Sequence, residues 1–338
     1  MPARLMTTSQ PWPSNEGGAS DCGPPITACA ARLVLVMRPP GQVVGSRVSG
    51  GSGAGLVGAP TSAHCRDMDM PTAAGRDRAG VAYWNDIWAG GSAGRNQRAV
   101  LERYTSALLR RFLSRLPTGA TVMEAGCANS AALPLVSSAG FRAVGIDYSS
   151  EGCRQSREAS PEAVIHEGDI FAPPTELVGS ADAIISFGLV EHFDVPATAI
   201  EAMARFLRPG GQMLTIVPNM YGSVGMLQKL LNRGAYDVHV RLDRADLASA
   251  HASMRVVDCG FLSPVGFGVV NPGKRVLPRA IVGALARASK LPRMIDRVVT
   301  LPKWPILAPH LYCIAEAYAK TTTDRVPDAM STVPPLSF

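Results

Sequence analysis

The sequence lacks the features that mark membrane-spanning and secreted proteins. It contains no run of 18 or more apolar residues, so a transmembrane helix is not expected. The apolar stretch from Ile26 to Met37 is interrupted by Arg32 and has no basic region ahead of it, unlike the core of a signal peptide. We therefore expect a cytoplasmic protein.

Closely spaced cysteines are lacking as well. The seven cysteines are scattered, their number is odd, and no two have the C-x-x-C spacing of a zinc or redox site. This pattern is typical of reduced thiols, most of them buried. No metal or redox centre built on cysteine is predicted.

Net charge is nearly absent outside one segment. The chain carries +6, but the segment from Lys274 to Lys303 holds eight basic residues against one acid, Asp296, and so carries +7 by itself. Apolar residues alternate with these charges, which suits an amphipathic cap in peripheral contact with a membrane, or a lid over an acidic or phosphorylated substrate. An ordinary pair of cap helices with a solvated basic face fits too. Nucleic acid is not an expected partner, because aromatic residues that stack on bases are nearly absent there.

The two ends of the chain show no helical or strand periodicity. Residues 1–78 are rich in Gly, Pro, Ser and Ala, a composition that buries too little apolar area to offset the entropy lost on ordering. We predict a disordered segment at 1–78 and a disordered tail at 321–338. Between them lies one domain, 79–320, with a basic cap insertion at 272–308.

Within this domain, short apolar runs alternate with helical stretches, which is typical of an α/β protein with a parallel sheet. Strands are predicted at 121–125, 142–146, 163–166, 182–187 and 212–217. Helices are predicted at 99–116, 130–139, 150–158 and 196–207. Two later strands are predicted, one at 255–258 continued by 261–270 and one at 311–318.

Three strand ends carry residues suited to a nucleotide-like ligand. The first strand turns into a helix through Gly126, where a Cβ would obstruct a ligand close to the backbone, and Ser130 can cap that helix. The second strand ends in Asp147, 21 residues after Gly126, where an acid commonly holds ribose hydroxyls. The third is followed by Asp169, which could accept from an adenine amino group.

These stretches, with the turn at 206–211 before the fifth strand, resemble the motif series of class I S-adenosylmethionine-dependent methyltransferases. Among them, the small-molecule type 11 group is the most similar. The resemblance implies a Rossmann-like, mostly parallel seven-stranded sheet with helices on both faces and an antiparallel last strand. It also implies S-adenosylmethionine as cofactor and a small-molecule acceptor such as a lipid, sugar or secondary metabolite.

The resemblance also assigns the cofactor-binding residues. Glu124 and Gly126 flank the methionine part of the cofactor, Asp147 takes the ribose, and Asp169 with Ile170 takes the adenine. The remaining residues of the predicted cofactor site are Cys127, Ala128, Tyr148 and Phe187.

One residue departs from the family pattern. Ala128 stands where a second glycine is usual, and its methyl group is expected to weaken cofactor binding. A non-catalytic methyltransferase-like binding protein is therefore the alternative. A nicotinamide-binding domain is disfavoured, because Gly126 is followed by Ala128 and Ala131 instead of the glycines of G-x-G-x-x-G.

The acceptor end is predicted from the fourth strand, which runs into Glu191 and His192. Strand ends of this kind line the ligand crevice, and His192 has a suitable pKa to take a proton from an acceptor hydroxyl. It could instead shape the pocket. No metal site is predicted from this pair, because no further Asp, Glu or His cluster stands near it in the sequence.

Other aromatic and polar residues are candidates for the walls of the site. Tyr83, Trp84 and Trp88, on a helix ahead of the first strand, could form a lid over the cofactor or pack against the sheet. The segment after the fifth strand is expected to help choose the acceptor. Its plausible pocket residues are Tyr221, Tyr236, His239 and Arg241.

Overall fold

The computed structural model describes residues 77–90, 101–273 and 275–319. The predictions of disorder for 1–78 and 321–338 therefore fall almost entirely outside the described residues. None of the helices within the described ranges is long and apolar enough to cross a membrane.

Helices and strands alternate along most of the domain. The helices are α1 (Gly80–Gly90), α2 (Arg103–Leu113), α3 (Leu133–Ser138), α4 (Ser150–Ala159), α5 (Pro196–Ala204), α6 (Ser223–Leu231), α7 (Arg233–Asp237), α8 (Arg244–Ala250), α9 (Val276–Ala288) and α10 (Lys290–Ile295). The strands are β1 (Thr121–Ala125), β2 (Arg142–Asp147), β3 (Val164–Glu167), β4 (Ala181–Phe187), β5 (Leu207–Pro218), β6 (Arg255–Leu262) and β7 (His310–Glu316). Short 3₁₀ turns lie at Thr175–Leu177 and Val190–His192.

The strands form one sheet in the order β3-β2-β1-β4-β5-β7-β6. Strands β1 to β5 pair in parallel, and β7 runs antiparallel to both of its neighbours. This confirms the predicted seven-stranded, mostly parallel sheet with an antiparallel last strand. The strand order reverses direction beside β1 and β4, and in such sheets ligands bind at the carboxyl ends of the strands at that point.

Both faces of the sheet are covered. Along β1, Val122 packs into a core with α2 and α3, while its neighbour Met123 packs into a second core with α5 and α8 on the opposite face. Successive strand residues point to opposite faces, so a strand buried on both sides must be apolar at nearly every position. This explains why β1 and β4 are mostly apolar on both faces.

Two predicted strand boundaries were wrong. The Pro-Gly-Gly turn does not precede β5 but bulges out within it: Ala181 pairs with Leu207 and Ala183 with Gln212, so the intervening residues 208–211 leave the ladder. The predicted strand at 255–258 and 261–270 is instead one strand that ends at Leu262. Ser263 has a left-handed φ of +68°, and Pro264 has no N–H to donate, so the ladder stops there.

Candidate active site

A cavity of about 570 Å³ opens at the carboxyl ends of β1, β2, β4 and β5. Its volume lies within the range of about 300–1,000 Å³ that is usual for small-molecule sites. Eight of the ten residues predicted for the site line it, namely Glu124, Gly126, Cys127, Ala128, Asp147, Tyr148, Phe187 and His192. One connected space therefore joins most of the predicted cofactor residues to the predicted acceptor end.

The turn after β1 is held in place by β2. The N–H groups of Gly126 and Cys127 both donate to the carbonyl oxygen of Ile146, at 2.9 and 3.2 Å. Gly126 adopts a φ of +70°, and a Cβ placed there would lie 3.0 Å from Cδ1 of Leu189. The turn requires glycine at this position, both for its backbone conformation and because a side chain would collide with Leu189.

Ala128 occupies the position of the usual second glycine without filling the cavity. Its φ is +22°, in the left-handed region that glycine favours. A Cβ built on Gly152 of α4 would lie 3.2 Å from the Cβ of Ala128, so the alanine methyl group lies against this glycine. The space left by Gly152 therefore accommodates the departure from the family pattern.

Ser130 links the turn to the start of α3. Its hydroxyl accepts from the N–H groups of Ala132 and Leu133, at 3.1 and 3.0 Å, and donates to Oε2 of Glu124. The helix begins at Leu133, later than the predicted residue 130, and its N-cap is Ala132 and not the predicted Ser130, although the Ser130 hydroxyl accepts from the first N–H of the helix. Glu124 is buried, and the loss of solvation raises its pKa to about 8.

Asp147 is positioned by backbone donors. Its Oδ2 accepts from the N–H of Ala128 at 3.0 Å, and its Oδ1 accepts from the N–H of Ser149 at 2.7 Å. Burial raises the pKa of Asp147 to about 6, although these hydrogen bonds act to lower it. Each oxygen keeps a second lone pair for a ligand hydroxyl.

The two residues predicted to contact adenine do not line the cavity. Oδ1 of Asp169 accepts from the N–H of Phe171 at 2.8 Å, and Ile170 is buried in the core on one face of the sheet. Asp169 nevertheless acts electrostatically on Tyr148, which does line the cavity. The pKa of Tyr148 is raised by burial, by its hydrogen bond to Asp77 and, to a smaller extent, by the charge of Asp169.

Helix α1 covers the cavity with two of the three predicted aromatic residues. Trp84 and Trp88 line the cavity and stack on each other with ring centroids 6.4 Å apart. Tyr83 packs edge-on against Trp84 and is not a lining residue. Asp77 fastens this helix, because its Oδ2 accepts from Nε1 of Trp84 at 2.5 Å and from the hydroxyl of Tyr148. No pattern in the sequence predicts this role of Asp77.

At the other end of the cavity, Glu191, His192 and His239 come together. Nδ1 of His192 donates to the carbonyl oxygen of Val238 at 3.0 Å, and Nδ1 of His239 donates to that of Ala235 at 2.7 Å. These bonds assign the tautomers and leave Nε2 of each ring with its lone pair. Burial lowers the pKa of both histidines, to about 4 for His239, and raises the pKa of Glu191 to about 8.

The other predicted pocket residues lie beside this cavity. Tyr221, Tyr236 and Arg241 line a neighbouring pocket of about 420 Å³, and His239 lines both. Arg241 lies over the ring of Tyr221 at 4.9 Å, so the charge and the aromatic face already contact each other. His310 at the start of β7 lines the main cavity, and no pattern in the sequence singled it out.

Comparisons with known proteins agree with this geometry. Residues 96–252 match the family model described as a methyltransferase domain. The chain is 31% identical over 101 residues to a probable S-adenosylmethionine-dependent methyltransferase of Mycolicibacterium smegmatis. It is 35% identical over 120 residues to trans-aconitate 2-methyltransferase of Azoarcus sp.. The matched region therefore resembles the domain of S-adenosylmethionine-dependent methyltransferases.

The extent of each match is limited. The two relatives are matched over 30% and 33% of this chain and over 39% and 45% of their own sequences. The chain thus spans less than half the length of each relative. Among solved structures, a putative methyltransferase in complex with the Haloferax volcanii Trm112 activator aligns with a TM-score of 0.47 at 18% identity, over 72% of this chain and 98% of that one.

Proposed function

We propose that the protein transfers the methyl group of S-adenosylmethionine to a small-molecule acceptor. The observation that carries this proposal is the single cavity that runs from Gly126 and Asp147 to His192. S-adenosylmethionine supplies an electrophilic methyl group on a sulfonium. The protein must align the two reactants, exclude water and, for a hydroxyl acceptor, provide for the removal of its proton.

The residues at the cofactor end fit this ligand. The glycine turn leaves room for a group close to the backbone. The buried Asp147 carboxyl group suits ribose hydroxyls, and the buried Glu124 carboxyl group, which keeps its proton near neutral pH, can exchange a hydrogen bond with the ligand. Asp147 would accept from the ribose, and Glu124 would face the methionine part. Trp84 and Trp88 would shield the reacting atoms from water.

At the acceptor end, His192 would activate the acceptor through Nε2. An acceptor hydroxyl would lose its proton, its oxygen would bond to the methyl carbon, and the electron pair of the broken carbon–sulfur bond would stay on sulfur. The lone pair of Nε2 can assist either by taking the proton directly or by holding a metal ion that makes the hydroxyl more acidic.

Calorimetric titration of S-adenosylhomocysteine into the full chain tests the proposal. We expect micromolar binding, about 8 kcal/mol, and release of S-adenosylhomocysteine when candidate acceptors are supplied with the methyl donor. Absence of binding by folded protein would refute the proposal. Binding without turnover on any acceptor would favour the non-catalytic alternative.

A second proposal concerns the basic cap, which we infer docks this cytoplasmic enzyme on an anionic membrane. The cap helices and the turn after them expose apolar side chains to solvent, and Val276 and Val298 are 84% and 88% exposed. Others that are more than half exposed are Leu277, Leu291, Met294 and Val299. Arg293 pairs with Glu102, which lines the cavity, so the cap adjoins the site.

Co-sedimentation with vesicles tests the cap. The full chain should sediment with vesicles rich in phosphatidylserine and less with neutral vesicles, since both apolar burial and charge contribute. Leu277→Ser with Val298→Ser should weaken sedimentation, whereas Val164→Ser, an exposed valine on β3 away from the cap, should not. Sedimentation that is insensitive to these changes would refute the docking.

A further inference from the structure

The three side chains at the acceptor end form a cluster that the methyl-transfer chemistry does not by itself require. Oε1 of Glu191 lies 4.0 Å from Nε2 of His192, and one ligand atom from each of Glu191, His192 and His239 lies within 4.8 Å of the others. All three residues line the cavity. The cluster is assembled by backbone contacts, because the N–H of Val240 donates to the carbonyl oxygen of Glu191 at 2.6 Å.

The histidines of the cluster differ from a structural histidine in the same chain. Both ring nitrogens of buried His251 have protein partners: Nδ1 donates to the carbonyl oxygen of Leu247 at 2.8 Å, and Nε2 lies 3.0 Å from Oγ1 of Thr215. His192 and His239 each use only Nδ1, on a backbone carbonyl oxygen. Metal-binding histidines are held in this way, with the second nitrogen donating to an outer partner.

Glu191 supplies the second, independent observation. Its side chain is 2% exposed, and within the part of the chain that the structure describes neither carboxyl oxygen has a hydrogen-bond partner on another residue. Leaving a carboxylate buried and unpaired is costly, so such a group is normally neutralised by protonation or by a cation. Among those same residues, the one basic group within ion-pair distance of Glu191 is Nε2 of His192, which burial keeps neutral.

We propose that Glu191, His192 and His239 bind one divalent transition-metal ion at the acceptor end of the cavity. Two imidazole nitrogens and one carboxylate oxygen form the donor set of catalytic zinc sites that keep a position open. In such a site the ligand atoms lie roughly 3.4 Å apart, so side-chain shifts of about an ångström would complete the site. The open position would face the cavity.

This inference rests on the proposed function and narrows its substrate class. The acceptor would bind the metal through an oxygen, and the metal would lower the pKa of an acceptor hydroxyl so that its proton is released to solvent before the methyl group is transferred. His192 then acts as a ligand and not as the direct base. The acceptor class is accordingly an oxygen nucleophile, such as a phenol, an enol or a hydroxy acid.

The probe for the site is Co²⁺, whose visible absorption reports its ligand environment. The untagged full chain is first treated with a chelator and dialysed, and Co²⁺ is then added in the absence of cofactor. We expect stoichiometric binding with a tetrahedral or five-coordinate spectrum and displacement by Zn²⁺. Glu191→Gln and His239→Gln should each weaken Co²⁺ binding by about 100-fold, at the upper end of losses seen for outer-shell partners.

The matched control is His310→Gln, which changes a histidine that lines the same cavity but is not in the cluster. It should bind Co²⁺ like the original chain, and circular dichroism establishes that each variant is folded. Equal Co²⁺ binding by the original chain and by folded Glu191→Gln and His239→Gln would overturn the metal site. So would the absence of any Co²⁺ spectrum.

Titration of S-adenosylhomocysteine into the same samples separates this inference from the proposed function. Cofactor binding without Co²⁺ binding would refute the metal site and leave methyl transfer standing. Co²⁺ binding without cofactor binding would support the metal site and refute methyl transfer.

Discussion

The two ends of the cavity each contain a buried glutamate whose pKa is raised to about 8 by burial. Glu124, at the cofactor end, accepts a hydrogen bond from Ser130. Glu191, at the acceptor end, has no such partner within the described ranges. The two glutamates are therefore similarly buried, but only the carboxyl group at the cofactor end has a hydrogen-bond partner on a neighbouring side chain.

This difference indicates that the ends are prepared in different ways. The cofactor end is completed by protein hydrogen bonds, such as those from Ala128 and Ser149 to Asp147. The acceptor end keeps the lone pairs of two histidines and a carboxyl group available. Where the polar groups of a site are hydrogen-bonded within the protein, the site is preorganised for one ligand shape. Polar groups without such bonds are available to bind a ligand or an ion.

The largest expected effect concerns the pH dependence of stability. It tests whether protonation of buried Glu124 stabilises the folded state. The pKa of Glu124 in the unfolded chain is near 4.5 and in the folded chain about 8, so the folded state holds the extra proton between these values. Stability therefore falls as the pH rises through this window. Relative to Glu124→Gln, the original chain should lose on the order of 3 kcal/mol of unfolding free energy between pH 5 and pH 8.

Urea unfolding at several pH values measures this difference. Subtracting the variant removes contributions common to both proteins, including that of Glu191, and the nearby Asp147 carboxyl is the main charge that also acts on Glu124. Parallel pH profiles for the two proteins would contradict the prediction.

The next effect concerns Asp147, the best-satisfied carboxyl of the cofactor end. Asp147→Ala should weaken S-adenosylhomocysteine binding by about 100-fold, because it removes a charged acceptor worth about 1.5–3 kcal/mol for each hydrogen bond. Asp147→Asn keeps one oxygen as an acceptor and should lose less. Calorimetry measures both, and unchanged affinity in Asp147→Ala would remove the ribose assignment.

A smaller effect separates backbone strain from crowding at the cofactor turn. Gly126 and Gly119 have nearly equal φ values of +70° and +73°, but a Cβ on Gly119 would meet no atom within 4 Å. Alanine at either position should cost about 1–2 kcal/mol of stability from the left-handed backbone. Only Gly126→Ala should also weaken cofactor binding, by about tenfold, through displacement of Leu189. Equal affinities for the two variants would show that the turn does not need this space.

The smallest expected effect tests the assignment of Asp169 to the adenine, since Asp169 does not line the cavity. Asp169→Ala should weaken S-adenosylhomocysteine binding by about fivefold, the loss of one ordinary hydrogen bond of about 1 kcal/mol. Calorimetry beside Asp147→Ala makes the comparison direct. A loss as large as that of Asp147→Ala would mean that Asp169 belongs to the cofactor end as fully as Asp147 does.

The sequence predicts the cofactor end well because its parts are local. The apolar run of β1, the glycine turn and Ser130 lie within a few residues, and their roles follow from periodicity and capping. The contact between His239 and Glu191 cannot be predicted from local patterns, because it depends on the tertiary contact between Val240 and Glu191. The predicted end of β6 was wrong because Phe267 and Val270 are residue types that favour strands. They follow Ser263, whose left-handed backbone ends the strand.

The contact between Ala128 and Gly152 has a consequence for the history of this chain. A methyl group on Gly152 would lie 3.0 Å from the Cα and 3.2 Å from the Cβ of Ala128, and glycine at 128 would remove the second of these contacts. The cost of a substitution at either position therefore depends on the residue at the other. In evolutionary terms the two sites are epistatic: glycine at 152 leaves room for alanine at 128, and alanine at 128 adds to the cost of a larger residue at 152.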